Sequence, residues 1–256
     1  SSLDWMELRA IKGGLRGDDA ASRQWVEDLF TREMDAARAL ETAGDLASAH
    51  VAFQAIGRDF DGLRDVSAAL AKTAELGKNA VVRKAAQQDR RRAAAQRAYE
   101  SKFVTFLSSF AAESPPPSLE ESLKRLGIQA LLKRAGSTED PEDALAARRL
   151  LEMVVAHASF YVPRDLLERK DPGRALGMLK IAAVIEPDRP GVLFGMARAR
   201  AQLGQTKDAL QLLARLAEMG VVDAATLAAD PYLGPLRNEE GFKQILERLG
   251  KERQAE

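Results

Sequence analysis

The tightest constraint on this chain is a spacing. Ala175 and Ala209 stand 34 residues apart, each near the start of a second amphipathic helix that follows a tight break, within the stretch 156–223. In the first copy Ala175 leads to Leu179, Ala182 and Pro187. In the second, Gly204 precedes Ala209, Leu213 and Leu216. A period of this length belongs to stacked helical hairpins, where each unit buries its apolar face against the next. Such a spacing specifies architecture and is silent on any reaction.

The rest of the chain is read in the same terms. Leu3, Trp5, Met6, Leu8 and Ile11 predict a short helix, ended by Gly13-Gly14 and Gly17. Asp18 and Asp19 introduce a longer one through Trp25, Leu29, Met34 and Leu40, which stops at Ala43-Gly44. Asp45 is the expected N-cap of the next helix, with Ala49, Phe53 and Ile56 on one face. The interval from Gly44 to Ala49 equals that from Gly204 to Ala209, so residues 29–62 form a third copy, out of phase with the other two. Inserted helices are therefore expected over 63–155: one from Leu63 to Leu76, then a long one over 79–113 without internal Gly or Pro. Phe103, Phe106, Leu107 and Phe110 share a face of that long helix, whereas 87–97 offers only Ala as apolar filling. A stiff hinge is expected over 114–118, Ser114-Pro115-Pro116-Pro117-Ser118. Ser118 with Glu121 caps a helix closed at Gly136, and Asp140-Pro141 launches another through Leu145, Leu150, Leu151 and Val154. Pro163 should kink or restart that helix near Tyr161. Beyond the repeats, Asp223 starts a short helix, and Asn238 caps a final one bearing Phe242, Ile245, Leu246 and Leu249. No alternating β-branched run interrupts the pattern. The expected fold is all-α, in three segments: 1–62, 63–155 and 156–256.

Here a family resemblance can be named. Residues 29–62 and 156–223 resemble tetratricopeptide repeats, with Ala37 and Ala197 where the two helices of a hairpin touch. Ala49, Ala175 and Ala209 match the second close-contact position, and Pro187 the repeat-ending proline. The chain departs from the pattern at Pro163, at Lys170 in place of Gly, and at Arg200 in place of an aromatic residue. The resemblance implies a non-catalytic module that binds a protein or peptide, or another domain of its own polypeptide. The tail from Asp230-Pro231-Tyr232-Leu233 to Phe242 is similar to the segment that often closes such arrays in bacterial multidomain proteins. A wider resemblance takes in the whole chain: a Trp5-Met6-Glu7-Leu8 helix, a hairpin repeat, the Asp59-Phe60-Asp61-Gly62-Leu63 turn, a long basic-acidic helix and two closing repeats. It is similar to the helical C-terminal region of some bacterial esterases of the α/β-hydrolase type. That implies an accessory region whose catalytic domain lies upstream. The opening Ser1-Ser2, without Met, fits the same expectation of a processed or excised chain.

Composition narrows the function classes. Lys plus Arg (38) balance Asp plus Glu (38), so net charge gives no pull towards nucleic acid or anionic membrane. With no Cys, disulfides and thiolate chemistry are excluded. No apolar run reaches membrane-span length, and the compartment stays open. There is no Gly-x-Ser-x-Gly elbow, His-Glu-x-x-His helix or phosphate loop, and no cofactor is expected. His50 and His157 read as ordinary helix residues. Arg83, Lys84, Arg90, Arg91, Arg92 and Arg97 form the strongest basic cluster. Consecutive arginines point about 100° apart on a helix, and Asp89 and Glu100 interrupt the run, so a solvated face is preferred to a nucleic-acid stripe.

The sharper candidate emerges when the three copies are overlaid. Eleven residues before each contact alanine stands an arginine: Arg38, Arg164 and Arg198. Four residues before two of these stand Phe160 and Phe194. On a helix these positions share a face, and in repeats of the resembled kind that face lines the concave groove. A guanidinium there would hold a carboxylate while the neighbouring ring packs on an apolar side chain. The alternative reading makes the rings packing residues and the arginines solvated or locally paired.

Overall fold

The computed structural model describes residues 2–16 and 19–252. Gly17 and Asp18, expected to end the first helix and to open the second, lie outside the described residues. Among those described, the chain is helical throughout, and its only β-type pairing is an isolated bridge between Asp61 and Arg64. It divides into two compact units, Ser1–Ala93 and Ala94–Glu256. The division falls within the long helix, inside the segment expected at 63–155.

In the first unit α1 (Ser2–Lys12) precedes a hairpin of α2 (Ala20–Thr42) and α3 (Leu46–Asp59). Asp19 and Asp45 cap α2 and α3, accepting from the backbone N–H of Ser22 and Ser48. Ala37 and Ala49 are fully buried where the two helices meet, so the small side chains set the approach distance. Phe53, Ile56 and Phe60 fill the space around them. Burying a ring such as Phe53 contributes roughly 1.5–3 kcal/mol. The next helix, α4 (Ser67–Leu76), starts four residues later than its apolar pattern suggests. Gly62, at φ 80°, turns the chain, and Asp65 accepts from the Ser67 N–H at 2.9 Å, which fixes the start.

The long helix is continuous as α5 (Ala80–Ala112). Its Phe103, Phe106 and Phe110 face the core of the second unit. Gly177 admits Phe110: a Cβ at 177 would meet the ring at 3.1 Å. The proline segment that follows is tied down at its start. Arg125 donates to both carboxylate oxygens of Glu113, at 2.6 and 3.1 Å, and Arg174 donates to the Glu113 carbonyl at 2.7 Å. The region to Gly136 is two helices rather than one, α6 (Leu119–Leu126) and α7 (Ile128–Ala135). Gly127 adopts φ 68° between them, a left-handed conformation that no α-helix continues through. Ser118 caps α6 as expected.

Asp140 and Pro141 open α8 (Pro141–Ala156), which buries Leu150, Leu151 and Val154 but leaves Leu145 half-exposed. Pro163 then acts as anticipated. It has no N–H to return to the preceding turn, and the helix widens over His157–Tyr161 into a π turn closed by Val162 N–H to the His157 carbonyl. Helix α9 (Val162–Glu168) resumes, followed by α10 (Pro172–Ile185), α11 (Pro190–Gln202) and α12 (Thr206–Glu218). These are the two repeats, with Ala175, Ala197 and Ala209 fully buried at the crossings. A short α13 (Ala224–Ala229), a 3-10 turn (Pro231–Leu236) and α14 (Glu240–Glu252) close the chain. Glu239, not Asn238, stands at the head of α14, its carbonyl accepting from Phe242 and Lys243. Phe242 is buried there, so the apolar edge of α12 is covered.

Candidate functional site

The repeat register matches Phe160 of the π turn and Arg164 of α9 to Phe194 and Arg198 of α11, and the π turn packs against α11. Phe160 and Phe194 are 34 residues apart, as are Arg164 and Arg198, and all four line one concavity of about 380 Å³. Tyr161, Leu167, Arg189 and Tyr232 complete the wall. Phe160 and Tyr161 stay more than half exposed, in contact edge to face at 5.2 Å. Both rings belong to the π turn. Each arginine lies over the ring one turn before it: Arg164 at 5.4 Å from the Phe160 centroid, Arg198 at 4.1 Å from that of Phe194. Both distances are within cation–π range.

The two guanidinium groups differ in what else they hold. Arg198 already binds a carboxylate of its own chain. Its Nε and Nη2 donate to Asp230 Oδ2 at 2.7 and 2.5 Å, and the Asp230 side chain is 3% exposed. Asp230 also accepts from the Tyr232 N–H at 2.9 Å, and Gln202 donates to the Tyr232 carbonyl at 2.8 Å. Arg198 thus fixes the 3-10 turn that supplies the Tyr232 wall. Arg164 is 61% exposed and faces Glu168, equally open, at 3.7 Å. Arg189 pairs with Glu186 at 2.8 Å, again on the surface. Neither carboxylate partner lines the cavity, which carries three arginines and no acidic side chain among its described lining residues.

Arg38 is placed elsewhere. It lies on α2 of the first unit, pairs with Asp35 at 3.1 Å, and has the buried Met34 where the other copies carry phenylalanine. Arg189 and Tyr232 escape sequence reasoning because neither falls on the repeat's Arg–Phe spacing; the Asp-Arg-Pro and Asp-Pro-Tyr turns are their only local signals. His157 is a packing residue: its Nδ1–H donates to the Met153 carbonyl at 2.9 Å, and its ring meets Phe103 and Tyr161. On α5, Arg83, Lys84, Arg90 and Arg91 are exposed, while Arg92 is partly covered and pairs with Asp89 at 3.6 Å. Among the described residues no cluster of His, Asp or Glu is suited to a metal ion. No described helix is long and apolar enough to cross a membrane.

Residues 166–229, from within α9 to the end of α13, match the family model described as tetratricopeptide repeat. The match supports a tetratricopeptide-like helical repeat; it covers Arg189, Phe194 and Arg198 of the cavity wall, while Phe160, Tyr161, Arg164 and Tyr232 lie outside it. It leaves 29–62 to be judged from its hairpin geometry alone, and it does not bear on the esterase resemblance. No curated protein and no solved structure matches the chain significantly. Tetratricopeptide repeats in general bind protein partners and are not catalytic.

Proposed function

We propose that this chain is a non-catalytic interaction module whose concave face on α9 and α11 receives a peptide segment of a protein partner. The observation that carries the reading is the convergence of Phe160, Phe194, Arg164 and Arg198 on one open cavity. Exposed aromatic rings beside guanidinium groups are the side chains that dominate protein recognition sites. Phe160 is 56% exposed, a cost in water that a bound apolar side chain would remove. The basic run on α5 favours no nucleic-acid reading, since it presents several directions and an internal acid partner.

A random peptide library displayed against the full chain tests this. Enriched peptides should lose binding to a Phe160→Ala/Phe194→Ala variant; Phe194 also packs against the repeat core, so Phe160→Ala alone, at a mostly exposed site, should weaken binding too. Enrichment insensitive to that variant, or no enrichment at all, contradicts the proposal.

A further inference from the structure

The cavity's charge layout narrows its occupant, provided that the peptide-binding reading holds. Arg198 is satisfied internally by Asp230, which leaves Arg164 and Arg189 as the cations able to exchange partners, each now in a solvent-exposed pair. Arg189 stands nine residues before Arg198, which puts its level about 13 Å away along α11 at 1.5 Å per residue. Arg164 holds the Arg198 position in the preceding repeat, which gives it the level of Arg198, and both available cations line the cavity. Phe194 falls between those levels, five residues after Arg189, with Phe160 as its equivalent on the facing helix turn. An extended peptide covers about 13 Å in four residues, so carboxylates reaching both cations across neighbouring helices stand at least that far apart.

We infer that the partner is an extended acidic segment with two carboxylate side chains at least four residues apart and an apolar side chain between them. The carboxylates pair with Arg189 and Arg164, replacing Glu186 and Glu168, and the central side chain enters between the rings. Successive side chains of an extended chain point to opposite faces, so residues one, three and five address the cavity together. Arg198 is a positioning residue here: it holds Asp230, and through it Tyr232, without touching the peptide. Arg189 is the member that repeat spacing leaves out.

The test uses the full chain and fluorescein-labelled, end-blocked peptides containing Glu-Ala-Leu-Ala-Glu, followed by anisotropy. The expected result is saturable binding that weakens about tenfold when either Glu becomes Gln, or when Arg189→Gln or Arg164→Gln is introduced. An acid spacing of two residues should bind less tightly, and raised salt should weaken all acidic peptides. Circular dichroism should be unchanged in both variants, because neither side chain caps a helix or enters the core. If the Gln peptide binds as well as the Glu peptide, and Phe160→Ala/Phe194→Ala still abolishes binding, the acidic assignment falls while the peptide groove stands. If no peptide of either composition binds, both fall.

Discussion

Arg198 reaches across 32 residues of sequence to Asp230, with two nitrogens on a single, almost fully buried carboxylate oxygen. The pair ties α11 to the turn near the end of the chain, and the other carboxylate oxygen of Asp230, Oδ1, holds the head of that turn. Replacing Arg198 by Met would leave the carboxylate buried and unpaired. Losing one partner of a buried pair costs about 3–5 kcal/mol, and an exposed pair well under 1. With the guanidinium one-third exposed, about 2 kcal/mol is expected, read as a lower denaturation midpoint. Restoring part of that loss in Arg198→Met/Asp230→Asn would show that the penalty comes from the stranded charge.

Lys170 occupies the turn position held by glycine in the other two hairpins. Its φ is 60°, against 81° at Gly44 and 71° at Gly204. A side chain in this left-handed region is strained even where space is free, as it is around both glycines. Lys170→Gly should therefore stabilise the chain by about 0.5–1 kcal/mol, and Gly204→Ala should destabilise it by about 1 kcal/mol. Equilibrium unfolding of the two variants checks both signs.

Ala175 and Ala209 are fully buried at equivalent helix crossings. Enlarging either to Leu forces the hairpin apart, at about 1–3 kcal/mol. Calorimetry should show a lower melting temperature for Ala175→Leu and for Ala209→Leu.

Acid should weaken the fold through the helix caps and the Glu113 clamp. Hydrogen bonds from Ser48 hold the Asp45 carboxyl below its usual range, those from Ser22 do so for Asp19, and the Arg125 guanidinium does so for Glu113. A carboxyl depressed in the folded state stabilises fully above its unfolded pKa, near 4, and loses that contribution as pH falls through the lower folded value. Urea midpoints should thus change little from pH 7 to 5 and drop steeply below about 4. Tyr99, pushed up to about 12 by burial, stays neutral throughout that range.

Much of this architecture is legible because its cause is local. Close helix contacts demand small residues, so Ala175 and Ala209 announce their own spacing, and the Phe–Arg pairs inherit it. The caps at Asp45, Ser118 and Asp140 are legible for the same reason, each being a side chain serving its own helix start. What stays hidden depends on where the chain returns. Asp230 looks like a loop residue until the 3-10 turn brings it to Arg198. Arg189 gains its place only because the π turn packs against α11. Gly127 is equally opaque: a glycine inside a helical pattern is tolerated as often as it breaks one, and only its positive φ decides the matter.

Amide NMR of the isotopically labelled full chain, titrated with the Glu-Ala-Leu-Ala-Glu peptide, locates the binding surface residue by residue. Shifts should concentrate at 159–164, 189–198 and Tyr232, with the same residues silent for the Phe160→Ala/Phe194→Ala variant. Shifts centred on the Arg83–Arg97 face of α5, or none at the cavity while peptide is bound, would contradict binding at this cavity.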